Sequence, residues 1–86
     1  MHSGLFDSPV FIQDGRYMIR EITSVDDAID FLCDWPEHDR DMFYQRTCDA
    51  CLASQNGAAP AIAARKAILS FALQNGILEE AETTSR

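Results

Sequence analysis

The dipeptide Asp14-Gly15 lies between two apolar runs of the chain, residues 10–13 and 16–22. A type I′ turn needs positive φ at both central residues, so Asp-Gly between apolar runs is the strongest short signal for a β-hairpin. We therefore predict two antiparallel strands joined by a two-residue turn. Because a two-stranded ribbon alone is only marginally stable in water, the rest of the chain has to cover it.

The predicted pairing makes both faces of this ribbon apolar. With a two-residue turn, Ile12 faces Tyr17 and Val10 faces Ile19, so these four side chains share one face. The opposite, outer face then carries Phe11, Met18 and Ile22. One layer of helices cannot cover two faces, so either the chain wraps around both or a second copy covers the outer one. Because a core this small gains most from association, we favour self-association, giving a homodimer through the hairpin.

A capping signal after the hairpin predicts the first of three helices. The Ser24 side chain can accept a hydrogen bond from the amide of Asp27, whose carboxylate reaches back in a variant of the capping box. We expect this helix to end near Asp34, because Pro36 disfavours helical geometry at Trp35.

Two more helices follow, each ended by an Asn-Gly pair. The second is predicted over about residues 39–55, where Gly57 suits the left-handed conformation that closes a helix. The third begins at Pro60 and ends at Gly76, with Ile77 placed for a Schellman closure. Its predicted core stripe consists of Ala64, Ala67, Ile68, Phe71 and Ala72. The fold class is therefore α+β, an N-terminal hairpin followed by three helices (ββααα).

The length of 86 residues fits one domain. We expect a lead-in over residues 1–8, the domain over residues 9–78 and a frayed acidic tail over residues 79–86. No secretory signal and no apolar stretch of membrane-spanning length is visible, so no membrane contact is expected. Three cysteines, an odd number, fit reduced thiols and a cytoplasmic location.

Acidic residues are concentrated around the first helix boundary. The chain carries a net charge of −7, and residues 26–41 hold seven acids against one arginine. Within this segment Trp35 could be an exposed docking ring beside Asp34, Glu37 and Asp39, with a basic protein as partner. The alternative is a core tryptophan at a helix corner surrounded by solvated acids.

Basic residues prevail only farther along, over residues 42–76, where three cations oppose one acid. Weak nucleic-acid binding through the third helix near Arg65-Lys66 is a third alternative. It is disfavoured because phosphate binding needs clustered cations. Arg65 could instead pair with the acidic segment.

The spacing of Cys48 and Cys51 is the only one with a named chemistry. Two thiols three residues apart on a helix could share a metal or a disulfide, which would make a small sensor. A redox pair needs a helix N-terminus, however, and zinc needs further ligands for which Cys33 and His38 are the nearby candidates. Buried structural cysteine is the simpler interpretation. Without a phosphate loop or nucleophile elbow we predict no cofactor, no metal and no enzymatic activity.

The order of these elements resembles a family of short alphaproteobacterial proteins known as domain-of-unknown-function family 982. Besides the hairpin into Ile22, the resembling residues are Ser24 to Ala28, Phe31-Leu32, Trp35-Pro36, Tyr44, Cys51, Gly57, Ala64-Arg65, Ala67 and Gly76 to Leu78. The chain departs from the expected pattern at Thr47, Ile68 and Phe71, where alanine, phenylalanine and alanine are expected. The resemblance implies a hairpin-plus-helices domain and no activity, substrate or catalytic residue.

Overall fold

The fold is a three-stranded antiparallel sheet with three helices, in the order β1, β2, α1, α2, α3, β3. The computed structural model describes residues 4–14 and 18–79. The strands and helices are β1 (Leu5–Gln13), β2 (Ile19–Ser24), α1 (Val25–Cys33), α2 (Met42–Gln55), α3 (Ala61–Gln74) and β3 (Leu78–Glu79). The predicted α+β class is confirmed, with one more strand than the sequence indicated.

The hairpin pairs in a different register from the predicted one. Val10 pairs with Ile22 and Gln13 with Ile19, and the Asp14 amide donates to the Met18 carbonyl at 2.8 Å. The predicted pairing of Val10 with Ile19 is therefore wrong, and residues 15–17 lie outside the described part of the chain.

The register decides which side chains enter the core. Val10, Ile12 and Ile22 share the face that packs against the helices, and each is at most 2 % exposed. The prediction that Ile22 belongs to the outer face is thus wrong. That face carries Phe11 opposite Glu21, a half-buried ring facing an exposed carboxylate.

Both ends of the sheet extend beyond the predicted domain of residues 9–78. β1 begins at Leu5, inside the predicted lead-in, and the pairing register shifts between Leu5 and Val10. Pro9, which has no amide hydrogen to donate, lies in this irregular stretch, a position where strands tolerate proline. At the other end β3 pairs with β1 through Ile12 opposite Leu78, so β1 is the central strand.

Local signals fix the helix ends. Ser24 caps α1 by accepting from the Asp27 amide at 3.1 Å, as predicted. α2 begins at Met42 with Asp41 as its cap, later than predicted, because residues Glu37–Asp39 form a separate 3-10 turn. α3 ends in the predicted Schellman closure, in which the Ile77 amide donates to the Ala72 carbonyl at 2.9 Å.

The core lies between the sheet and the helices. α1 contacts β2, α3 contacts β1, and α2 packs on α3 and α1. Phe71 of α3 is at the centre of an aromatic cluster and is 1 % exposed. Its neighbours within the cluster are Phe31, Trp35, Phe43 and Tyr44. Within the described residues, no helix has the length and apolarity that crossing a membrane requires.

Candidate functional site

An acidic ridge runs along the exposed side of α1 and into the turn that follows. Asp26, Asp30 and Asp34 are four residues apart, so successive helical turns bring them to one side, and all three are exposed. Glu37 and Asp39 continue the ridge in the exposed 3-10 turn. These five residues are called the acidic ridge below, and they include three of the predicted interaction candidates.

Trp35 lies at the corner where the ridge leaves α1. Its ring is half-buried, with the centroid 4.9 Å from that of Phe71 and 5.8 Å from that of Phe31. The indole Nε1 donates to the Asp39 carbonyl at 3.3 Å. The ring therefore joins the core cluster while part of it stays exposed to solvent.

The two arginines near the ridge, Arg20 and Arg40, both make contacts within the domain. Arg40 donates to the Trp35 and Cys33 carbonyls, both at 3.0 Å, and its guanidinium carbon lies 5.1 Å from the Tyr44 ring centroid. These bonds satisfy carbonyls at the end of α1, where a helix leaves carbonyls without partners. Arg40 thus has a structural role, and its guanidinium forms no ion pair with a ridge carboxylate.

Arg20 lies on the helix-facing side of β2, a position that the predicted register did not indicate. Its Nη1 lies 3.2 Å from Asp34 Oδ2 and 4.0 Å from Asp14 Oδ2. Its guanidinium carbon is 5.6 Å from the Phe31 ring centroid. Side chains two residues apart on a strand share a face, so Arg20 lies on the same side as Ile22. With the correct hairpin register, the sequence would have predicted this position.

A surface groove of about 370 Å³ opens beside the acidic ridge, between the sheet and the end of α1. It is lined by Gln13, Asp14, Arg20, Phe31, Asp34, Trp35, Pro36 and Ile77. The lining combines aromatic rings with paired charges. Such a surface suits recognition of a polar side chain on a partner.

The hairpin candidates do not form a common site. Ile22 is fully buried in the core and cannot contact a partner. Met18 is 65 % exposed at the hairpin end, and Phe11 is half-buried on the outer face. Of the three, only Met18 and part of Phe11 are accessible.

The predicted Cys48–Cys51 pair is divided between two environments. Cys51 is fully buried in the core, and burial raises the pKa of its thiol to about 12. Cys48 is half-buried, and Cys33, at the end of α1, is exposed. Across residues 4–14 and 18–79, no group of three or more His, Cys, Asp or Glu side chains is arranged to hold a metal ion.

Cys33 and Cys48 instead line one small cavity between α1 and α2. This cavity of about 130 Å³ is lined by Ile29, Leu32, Cys33, Tyr44, Cys48 and Leu52. The Tyr44 hydroxyl donates to the Leu32 carbonyl at 2.7 Å. Burial, followed by a hydrogen bond with the Cys48 thiol, raises the pKa of Tyr44 to about 12.

Arg65 has a structural role on another surface. It donates to the Ser8 carbonyl at 2.8 Å and to the Ser8 hydroxyl at 2.9 Å, joining α3 to β1. The structure therefore does not show the predicted alternative of pairing with the acidic segment. Lys66 beside it is exposed.

Fold and surface together define a small α+β domain with an acidic corner and a shallow groove. A family model matches residues 8–79, and the chain belongs to that family, described as "Protein of unknown function (DUF982)". This match confirms the resemblance to domain-of-unknown-function family 982. The chain has no significant match among curated proteins, and none among solved structures.

Proposed function

We propose that this domain is a non-enzymatic interaction module that binds a basic protein partner through the acidic ridge. The observation that carries the proposal is the alignment of exposed carboxylates along α1 and its following turn. Complementary charge on a partner would accelerate encounter and select against acidic partners.

The helix dipole favours Asp26 in the first turn of α1, but the spacing of the ridge carboxylates along the helix is unfavourable. Like charges at Asp26, Asp30 and Asp34 repel across successive turns, at about 0.2–0.5 kcal/mol per pair. The last turn of α1 holds no basic residue, so Asp34 at its end also opposes the helix dipole. A partner with complementary positive charge would relieve the repulsion among these carboxylates.

The corner also offers an apolar anchor beside the charges. Trp35 is fixed by its packing on Phe71 and by its hydrogen bond to Asp39, so little conformational freedom would be lost on binding. Tryptophan in such a position is typical of residues that dominate binding energy.

Matched charge variants test this proposal. Affinity capture from native cells identifies a partner, whose affinity is then measured by calorimetry at low and high salt. The triple variant Asp30→Asn, Glu37→Gln, Asp39→Asn should raise Kd about 10-fold and flatten the salt dependence. It leaves the Asp34–Arg20 pair intact.

The control removes the same charge from exposed acids elsewhere, through Asp7→Asn, Glu21→Gln and Asp49→Asn. We expect it to bind nearly as the unmodified protein does. Equal weakening by the two variants would mean that net charge, and not the ridge, determines binding, and would refute the proposal.

A second candidate function is self-association through the hairpin. It is favoured by the exposure of Met18 and Ile19, which are 65 % and 50 % exposed. Light scattering that finds only monomer at high protein concentration would exclude it.

A further inference from the structure

The cavity between α1 and α2 brings together two thiols that are distant in sequence. Cys33 ends α1 and Cys48 lies within α2, and both line the same 130 Å³ space. Tyr44 lines the same space, and its hydroxyl donates to the carbonyl of Leu32, the residue before Cys33, at 2.7 Å. The shared cavity therefore brings the two thiols to the same place between α1 and α2.

We propose that Cys33 and Cys48 are a redox pair that forms a reversible disulfide between α1 and α2 when a hydroperoxide reacts with the protein. This site differs from the predicted Cys48–Cys51 pair because its two thiols come from facing helices. It also stands independently of the proposed binding function.

Accessibility determines the order of the two steps. Cys33 is exposed, so its thiolate attacks the hydroperoxide first. The O–O bond breaks, the alcohol or water leaves, and Cys33 becomes a sulfenic acid. The Cys48 sulfur then attacks the Cys33 sulfur, the S–O bond breaks and water leaves with the Cys48 proton. Two thiols and one hydroperoxide thus give one disulfide, one alcohol or water molecule, and one further water.

Cys51 is excluded from this chemistry by its environment. It is fully buried, and burial keeps its thiol protonated to about pH 12. A protonated, inaccessible thiol is a poor nucleophile, so Cys51 should stay reduced while the other two are oxidised.

The disulfide would close a loop of the chain that contains Trp35 and part of the acidic ridge. Trp35, Glu37 and Asp39 all lie between Cys33 and Cys48 in the chain. Closing a loop of this length restricts the unfolded chain, so oxidation should raise Tm by roughly 10–25 °C.

Mass spectrometry of the full chain tests the proposal. The protein is treated with one equivalent of hydrogen peroxide, its remaining thiols are alkylated, and the intact mass is measured. We expect a monomer lighter by two hydrogen atoms with one alkylated cysteine, and full reversal by a thiol reductant. Methionine oxidation adds oxygen and is separated by mass.

Peptide mapping locates the bond. Trypsin cleaves after Arg20, Arg40, Arg46 and Arg65, so the disulfide should join peptide 21–40 to peptide 47–65. Fragmentation of the linked species in the unmodified protein distinguishes Cys48 from Cys51 without any substitution.

Single variants provide the matched comparison. Cys33→Ser and Cys48→Ser should each abolish the bridge and the rise in Tm, whereas Cys51→Ala should retain the bridge. A bond to Cys51, a bond only between two chains, or oxidation of Cys33 to sulfinic acid without a bridge would each overturn the proposal.

Discussion

Asp27 holds the start of α1 to the end of β2 through three hydrogen bonds. Its carboxylate accepts from the Thr23 amide at 3.0 Å and from the Thr23 hydroxyl at 2.7 Å, while its own amide donates to Ser24. The bonds from Thr23, the amide first, hold the pKa of Asp27 below its usual value of 3.8. The ionised carboxylate is therefore the form that stabilises the fold.

Asp27→Asn keeps the shape of this side chain and removes its charge. Hydrogen bonds to an ionised acceptor are stronger than neutral ones, and partial exposure reduces the difference. We expect the variant to lose about 1 kcal/mol of unfolding free energy at neutral pH, comparable with loss of a helix cap. In a domain of this size, that loss lowers Tm by about 4–8 °C.

The pH dependence follows from the direction of the pKa shift. A carboxyl whose pKa is lower in the folded state contributes its full stability above the unfolded value, near 3.8. This contribution is lost as the pH falls through the folded value. Thermal unfolding followed by circular dichroism should therefore show that the original protein is more stable than the variant by a constant amount above pH 5. This difference in stability should disappear as the pH is lowered further.

Asp26→Asn is the matched control, because it removes the same charge from an exposed neighbour in the same helical turn. It shares the helix dipole with Asp27 but has none of the bonds to Thr23. The hydrogen-bonding explanation would be incorrect if both variants lowered Tm equally. It would also be incorrect if the stability difference between the original protein and Asp27→Asn persisted at a pH below the folded-state and unfolded-state pKa of Asp27.

Three further predictions concern the closure of α3, the Tyr44 hydroxyl and the hairpin register. Gly76→Ala, at φ 71° with open space around it, should lose about 1 kcal/mol in urea unfolding from backbone strain alone, while Gly4→Ala should be neutral. Tyr44→Phe removes one of the donors to the Leu32 carbonyl, which still accepts from the Trp35 amide at 3.1 Å, and should cost about 0.5–1.5 kcal/mol in the same assay. Because the pKa of Tyr44 rises from 10 to about 12, its contribution is full below pH 10 and disappears through pH 12, which ultraviolet titration can follow. Ile22→Ala should cost about 2–5 kcal/mol of unfolding free energy because it leaves a buried cavity, whereas the exposed Ile19→Ala should cost little. A larger loss for Ile19→Ala than for Ile22→Ala would contradict the observed register and support the one predicted from the sequence.

Local signals in the sequence were sufficient to predict the three helices and their boundaries, except for the start of α2. The Ser24 cap, the proline after α1 and the two Asn-Gly endings act within a few residues, so they are visible without knowledge of the tertiary fold. Gly57 and Gly76 indeed adopt positive φ, at 84° and 71°. The structure confirms the predicted core stripe of α3, in which Ala64, Ile68, Phe71 and Ala72 are buried, except at Ala67, which is half-buried.

Features that depend on pairing between distant segments were not predictable in the same way. Asp14-Gly15 indicated the hairpin correctly, yet a shift of register by an odd number of residues reversed the face of Ile22. β3 was missed because Leu78-Glu79 becomes a strand only by pairing with β1. Arg65 was misplaced for a similar reason, since its partner Ser8 lies at the other end of the chain.

For the site, the sequence supplied the acids but not their geometry. Asp34, Glu37 and Asp39 were found from composition, because charge is visible in the sequence. The contact between Arg20 and Asp34 depends on the strand register and so remained hidden. The shared cavity of Cys33 and Cys48 depends on how α1 meets α2, which no short motif records.

The most direct test of the proposed function is amide chemical-shift mapping of the isotope-labelled domain during titration with its captured partner. We predict that the largest changes follow residues 26–39 and the Trp35 indole, and that they weaken as salt is raised. Changes centred on α3 or on the outer face of the sheet, with the acidic ridge unaffected, would contradict the account.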